Sequence, residues 1–266
     1  KNINMKEIIK FLNISEDQIV YIDDSPFERE IVKNNFKNIS VPEIKDPEEA
    51  INFILHLERN FYFQSNTNTN EDNTRNKYYK QIEKWENKKE EHQNYETFLK
   101  EMNMYSTVYS SSDEIFDRIF QLINKTNQFN LLKSRVDSIE LKKQLQSKNK
   151  VFLGADLNDK FGNYGITNII IGKIEKNNCY INHWVMSCRV FERTFEHFIF
   201  NMFVDVCINR KVSKITAKFI PSTKNKSFEN IYFTFGFKNI FKSNEFSEWE
   251  LDLKNFKKLK TFISPV

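Results

Sequence analysis

Cysteine is scarce in this 266-residue chain. The three present, Cys179, Cys188 and Cys207, are an odd number without C-x-x-C spacing. That argues against a disulfide framework and against a zinc site, and it suits a reducing cytoplasm. No apolar run approaches the ~20 residues of a bilayer-spanning helix, and the start does not read as a signal peptide. An excess of one charge is lacking too: 40 basic residues face 36 acidic ones, a net +4. The concentrated basic stripe that grips nucleic acid is not found, and the lysines between Lys254 and Lys260 read as a solvated face. There is no internal repeat. An initiator methionine is also lacking; Lys1 stands inside a helix approach, so an upstream segment is expected.

The most informative stretch present is VYIDDSPFERE, Val20 to Glu30. An apolar run ends in adjacent carboxylates, Asp23 and Asp24, followed by Ser25, Pro26 and a helix-favouring run. This reads as a buried parallel strand delivering acids to a sheet edge, where open α/β sheets bind ligands. Two adjacent carboxylates repel unless a hard cation neutralises them, and Mg²⁺ takes oxygen ligands. An Asp-Asp turn capping a helix is the plain alternative.

Length suits about two domains. Helical spacing runs over Asn4 to Leu12, strands over Gln18 to Ile22 and Asn38 to Val41, and a helix opens at Asp46-Pro47 with Asp as N-cap. Gln64 to Thr74 is polar and reads as a linker. One long charged helix, Arg75 to Met102, is expected to bridge two domains. A strand at Tyr105 to Tyr109 precedes a helix with Ser111 and Glu114 at capping-box spacing. Strands follow at Val151 to Ala155, Gly165 to Ile174, Cys179 to Met186 and Lys214 to Ile220, with helices at Glu192 to Asn209 and Ser227 to Phe235. This order describes a mixed, mostly antiparallel sheet with helices against it.

Several separated motifs carry a family resemblance. IDDSPFERE, VPE (Val41 to Glu43) and the Asp46-Pro47 pair come first. NKTNQFNL (Asn124 to Leu131), DKFGNYGI (Asp159 to Ile166), SCRV (Ser187 to Val190), IPSTKN (Ile220 to Asn225) and FGF (Phe235 to Phe237) follow in order. Together they resemble the FkbH-like proteins, a branch of the haloacid-dehalogenase (HAD) superfamily with a C-terminal GNAT-like domain. The resemblance implies an α/β chain: residues 1–60 as the carboxyl half of a HAD-like, Rossmannoid parallel sheet, 61–102 as linker and bridging helix, 103–245 as a GNAT-like mixed α/β acyltransferase domain, and 246–266 as a tail. It implies a glyceryl transferase–phosphatase. The glyceryl unit of 1,3-bisphosphoglycerate, a small phosphorylated three-carbon substrate, loses phosphate and passes to the phosphopantetheine thiol of an acyl carrier protein, as in polyketide-type biosynthesis.

Residue by residue, the resemblance makes Asp23 and Asp24 the Mg²⁺ ligands of the intact domain and Lys1 the phosphate-binding lysine. The DxDxT strand that carries the HAD nucleophile is not in the chain, so phosphate turnover is not expected of this chain alone. Cys188 is the candidate thioester nucleophile, beside Arg189 and ahead of the helix expected from Glu192; a small buried hydrophobe is the plain alternative. His183 is a possible base for it, core packing being the plain reading. GNAT domains hold the coenzyme A pyrophosphate on an R-x-x-G-x-G/A turn. Here Glu192 and Thr194 fill both glycine positions, which argues against CoA, while Arg189 and Arg193 remain available to a carrier's single phosphodiester. Asn127, Gln128 and Asn130 are candidates for a hydrogen-bonding wall, and Lys224 and Asn225 for ligand or carrier contact. Two other functions stay open: a GNAT-like module that docks a carrier protein without chemistry, and an acyl-CoA N-acyltransferase.

Overall fold

The computed structural model describes residues 2–12, 14–43, 50–59 and 75–266. They fall into two compact units, Lys1–Asn73 and Thr74–Val266. Lys1, the Asp46-Pro47 helix start and the Gln64 to Thr74 linker lie outside the described residues.

In the first unit, α1 (Asn2–Leu12) and α2 (Pro26–Asn35) enclose a small core of Val32, Phe36 and Ile39, with Met5, Ile9, Ile19, Tyr21 and Val41 against it. The start of α2 follows from its sequence: the Glu28 N–H donates to Ser25 Oγ at 3.4 Å, and Pro26 takes the position that needs no N–H. α3 is Ala50–Arg59. The two parallel strands expected here reduce to one parallel bridge, Val20 with Ser40, held by Tyr21 N–H to Ser40 O (2.8 Å) and Ser40 N–H to Ile19 O (3.0 Å). Half of a HAD-like sheet is therefore more than the described residues contain. Among the described residues no third strand lies beside these two segments, and the ladder stops at one rung.

The second unit opens with α4 (Arg75–Glu90) and α5 (Tyr95–Glu101). These correct the expectation of one bridging helix. The chain breaks at Asn94, which caps α5 by accepting the Thr97 N–H at 3.0 Å, and Trp85, Phe98 and Leu99 are buried in this unit's core. The sparse apolar residues of the segment suffice because three of them are large.

Next come β1 (Met104–Ser106), β2 (Val108–Tyr109), α6 (Phe116–Lys125), β3 (Phe129–Asn130) and α7 (Ser138–Gln146). The capping box expected at Ser111 and Glu114 does not form; α6 starts after Ile115 without a side-chain cap. The strands β4 (Lys150–Asp159), β5 (Gly162–Glu175) and β6 (Asn178–Met186) form an antiparallel meander. α8 (Phe195–Asn209) then crosses to β7 (Lys214–Phe219), and a one-turn helix α9 (Ile231–Thr234) leads to β8 (Lys238–Lys242), β9 (Ser247–Asp252) and β10 (Ile263–Pro265). All ten strands join one sheet, ordered β10-β1-β4-β5-β6-β7-β9-β8, with β2 on β4 and β3 on β6. The segment 246–266, expected as a tail, thus supplies two strands.

The sheet is covered on both faces, which explains why β4 is an apolar run rather than an alternation. Val151, Leu153, Ala155 and Leu157 join the large cluster with α8; Phe152, Ile169, Ile171 and Val185 join the smaller one with α6 and α7. At the β5–β6 pair the register slips: Ile171 faces His183 while Gly172 faces Ile181. A Cβ on Gly172 would stand 2.7 Å from Cys179 Sγ and 2.9 Å from Phe203, so only glycine fits.

One feature of the sheet positions the site. β6 and β7 are parallel and pair only from Asn178 with Lys214 to Tyr180 with Thr216. Beyond that point β3 enters: Phe129 pairs with Met186 and Asn130 with Val185, and the Ile220 N–H donates to Leu131 O at 2.9 Å.

Candidate functional site

Ligands of parallel strands gather outside their carboxyl ends. At the ends of β6 and β7 lies a cavity of about 450 Å³, lined by Thr126, Asn127, Asn130, Lys133 and Arg135 from one loop and Ser222, Thr223 and Lys224 from the other. Three of the predicted residues, Asn127, Asn130 and Lys224, meet here from positions far apart in sequence. Lys133 and Arg135 were not foreseen.

The loops are wired by buried asparagines. Asn130 donates to Ile123 O (3.3 Å), Thr126 O (3.3 Å) and Ser134 O (3.1 Å) and accepts the Ser134 N–H at 3.2 Å. Asn225, fully buried, donates to Asn130 O (3.2 Å) and Ile220 O (2.9 Å) and accepts the Ser222 N–H at 2.7 Å. Asn225 thus fastens one loop to the other and does not line the cavity; nor does Gln128. Arg135 donates to Ile123 O, Thr126 O and Ser134 O, and to Asn127 Oδ1 at 2.6 Å. The ammonium groups of Lys133 and Lys224 have no ion-pair or hydrogen-bond partner among the described residues, and no carboxylate lines the cavity. Such a concavity attracts anions.

The turn from Cys188 to Thr194 is differently furnished. Cys188 is exposed and opens a short 3₁₀ turn, Cys188–Val190. α8 begins at Phe195, not at Glu192. Arg189 lies 4.0 Å above the Tyr78 ring centre and donates to Ser187 Oγ at 3.2 Å. Arg193 is buried, its guanidinium 3.6 Å from the Trp85 ring centre, donating to Arg189 O (3.0 Å) and Phe191 O (3.2 Å). It stands 4.0 Å from Asp159, whose pKa burial raises against the pull of this guanidinium. Arg193 is therefore a core residue and unavailable to a ligand. Glu192 pairs with Lys89, and its carbonyl accepts the Tyr95 hydroxyl. Yet Glu192 and Thr194 have φ of 63° and 57°, the left-handed backbone that glycine takes without strain. Side chains of α4 and α5 engage the turn.

His183 is not the base of Cys188. Its Nδ1 lies 2.8 Å from Ser134 Oγ and its Nε2 2.9 Å from Gln144 Oε1. Burial lowers its pKa to about 4, with Glu140 opposing the shift. Cys179 and Cys207 are buried core residues.

In the first unit, Asp23 accepts from the Tyr21 hydroxyl (2.7 Å) and the Ser25 N–H (3.0 Å), and Arg29 donates to the backbone carbonyls of Asp23 (2.9 Å) and Asp24 (3.0 Å). Among the described residues no group of three or more acids, histidines or cysteines could hold a metal ion. Both oxygens of Asp23 already accept protein donors, as in a helix-entry turn, so these residues do not by themselves fit Mg²⁺.

No family model matches the sequence, and no curated protein does. Solved structures are similar over about 56% of the chain. The ribosomal-protein-S18-alanine N-acetyltransferase from Escherichia coli is 9% identical, with a TM-score of 0.44 over 56% of this chain and 94% of that one. The GNAT domain of S. lividans PAT is 9% identical, with 0.44 over 55% and 89%. The PaiA N-acetyltransferase from Thermoplasma acidophilum, in complex with coenzyme A, is 12% identical, with 0.43 over 55% and 98%. Likeness this shallow decides no chemistry. No helix among the described residues is long and apolar enough to cross a membrane.

Proposed function

We propose that the second unit is an acyltransferase-like module that receives the phosphate-bearing arm of an acyl carrier protein in the cavity between residues 126–135 and 222–224. It would serve the glyceryl loading that the FkbH resemblance implies, with the exposed Cys188 as tethering thiol. One observation supports this most: Lys133, Arg135 and Lys224 line a concavity without a carboxylate, at the carboxyl ends of a parallel strand pair joined by α8. A pantetheine arm has one phosphodiester and a slender polar tail. Its charge suits unpaired lysines, and its amides suit Asn127 and the Ser222 and Thr223 hydroxyls. A cavity of about 450 Å³ is within the ordinary range for small ligands. The phosphatase half of the reading rests on the resemblance alone, and no step through Mg²⁺ is drawn.

Calorimetric titration with phosphopantetheine tests the cavity. Binding that Lys224→Glu weakens by about tenfold or more is expected, since a reversed charge at a phosphate contact costs at least ~1.4 kcal/mol. Equal binding of pantetheine, which lacks the phosphate, would overturn the reading.

A second reading, N-acyl transfer from CoA, draws on the left-handed backbone at Glu192 and Thr194. Competition by CoA that Glu192→Gly strengthens would favour it.

A further inference from the structure

Ser134, His183, Gln144 and Glu140 form an unbroken hydrogen-bonded chain, and the chemistry of each member fixes the direction of every proton in it. Gln144 Nε2 donates to Glu140 Oε1 at 3.0 Å, one helical turn away on α7. A carboxylate only accepts at pH 7, so the amide nitrogen must face Glu140 and the amide oxygen must face His183. That oxygen accepts from His183 Nε2 at 2.9 Å, so the proton of the neutral imidazole sits on Nε2. Nδ1 is then a bare lone pair, 2.8 Å from Ser134 Oγ, and the serine hydroxyl donates to it. A hydroxyl on a base, the base held by a third group, is the arrangement of an activated nucleophile. His183 is 4% exposed while Ser134 is half-buried, so the base is more enclosed than the serine.

We propose that Ser134 is a nucleophile for activated acyl groups, with His183 as its base, Gln144 as the group that fixes the imidazole tautomer, and Glu140 as the group that orients Gln144. Ser134 itself does not line the cationic cavity, but its two chain neighbours, Lys133 and Arg135, do. An acyl thioester on a phosphate-bearing arm is the fitting substrate. That substrate class rests on the function proposed above; the nucleophile does not. In the step, Ser134 Oγ bonds to the acyl carbon and its proton passes to His183 Nδ1. The carbon–sulfur bond then breaks, the leaving sulfur takes the proton from His183, and an ester remains on Ser134 with the imidazole neutral again.

The probe is p-nitrophenyl acetate, which carries an acetyl group and no phosphate. Incubation of the full chain should release p-nitrophenolate and leave an acetyl group on the peptide that contains Ser134, found by peptide mass mapping. Ser134→Ala should abolish that modification, and His183→Gln should slow it by less than about 100-fold, because a base whose pKa burial has lowered works below the ordinary range of general-base catalysis. Should His183→Gln fail to fold, Gln144→Glu serves instead. It places a carboxylate directly on Nε2–H, stabilises the imidazolium and should speed acetylation by about tenfold. A histidine kept only for packing would not respond in that way. No acetyl group on Ser134 in the wild type, or a rate unmoved by Gln144→Glu, would overturn the proposal. Phosphopantetheine binding to the wild type is read separately by calorimetry, so failure of the cavity and failure of the nucleophile are told apart.

Discussion

The turn at 188–194 and the cavity at 126–135 with 222–224 are both rich in cations, and the protein uses them differently. In the turn the charges are already partnered: Arg189 lies on Tyr78, Arg193 lies on Trp85 beside Asp159, and Glu192 meets Lys89. In the cavity Lys133 and Lys224 have no such partner among the described residues. An arginine stacked on a buried indole gives up solvation for a fixed contact and becomes part of the core. A lysine over an open concavity keeps its charge for whatever enters. A basic residue in a suggestive motif is thus no measure of ligand affinity until its neighbours are known.

The largest test of the contrast is Arg193→Ala. It leaves Asp159 buried without its guanidinium and opens a void against Trp85, so unfolding free energy should fall by about 3–5 kcal/mol in a denaturant titration. A stability near wild type, with a loss of ligand binding instead, would return Arg193 to the binding residues.

Acid is the next lever. The unfolded chain protonates His183 near 6.5, whereas the folded chain resists until about 4. Between these values the unfolded state binds the extra proton, so stability should fall as pH drops through the window and stay level above it, by roughly 3 kcal/mol in all. Denaturant midpoints across that range, compared with those of His183→Gln, check the sign.

Lys224→Glu should cost about tenfold or more in phosphopantetheine affinity, and as an exposed substitution it should move stability by less than about 0.5 kcal/mol. The smallest effect belongs to Lys89→Ala. An exposed pair such as Lys89 with Glu192 is worth under about 1 kcal/mol, and a larger loss would mean that α4 grips the turn mainly through this charge.

Much of the second unit was legible beforehand. The strands expected at Val151 to Ala155, Gly165 to Ile174, Cys179 to Met186 and Lys214 to Ile220 lie within or almost within β4 to β7, because β4, buried on both faces, writes a run of apolar residues into the chain and β7, buried on one, writes an alternation. α7 was missed, although Asp137 caps it by accepting the N–H groups of Ile139 (2.8 Å) and Glu140 (2.9 Å); its apolar face has little beyond Leu141 and Leu145, too little for a periodic signal. With α7 missed, Gln144 and the relay to Ser134 could not be seen. The last strands were missed for a related reason: β8 is exposed along its whole length, β10 has three residues, and β9 has only Trp249 and Leu251 as buried apolar residues.

The chain by itself determined the mixed α/β character, the sparse thiols, the near-balance of charge and the polar block from Asn124 to Asn130, since these depend on composition and on spacing along one element. Tertiary structure alone decided which cations remain open, that Trp85 covers Arg193, and that His183 meets Ser134 through a hydrogen bond. The reason is distance: each of those outcomes turns on two groups far apart in sequence arriving within a few ångströms, and no local pattern encodes which pair will meet.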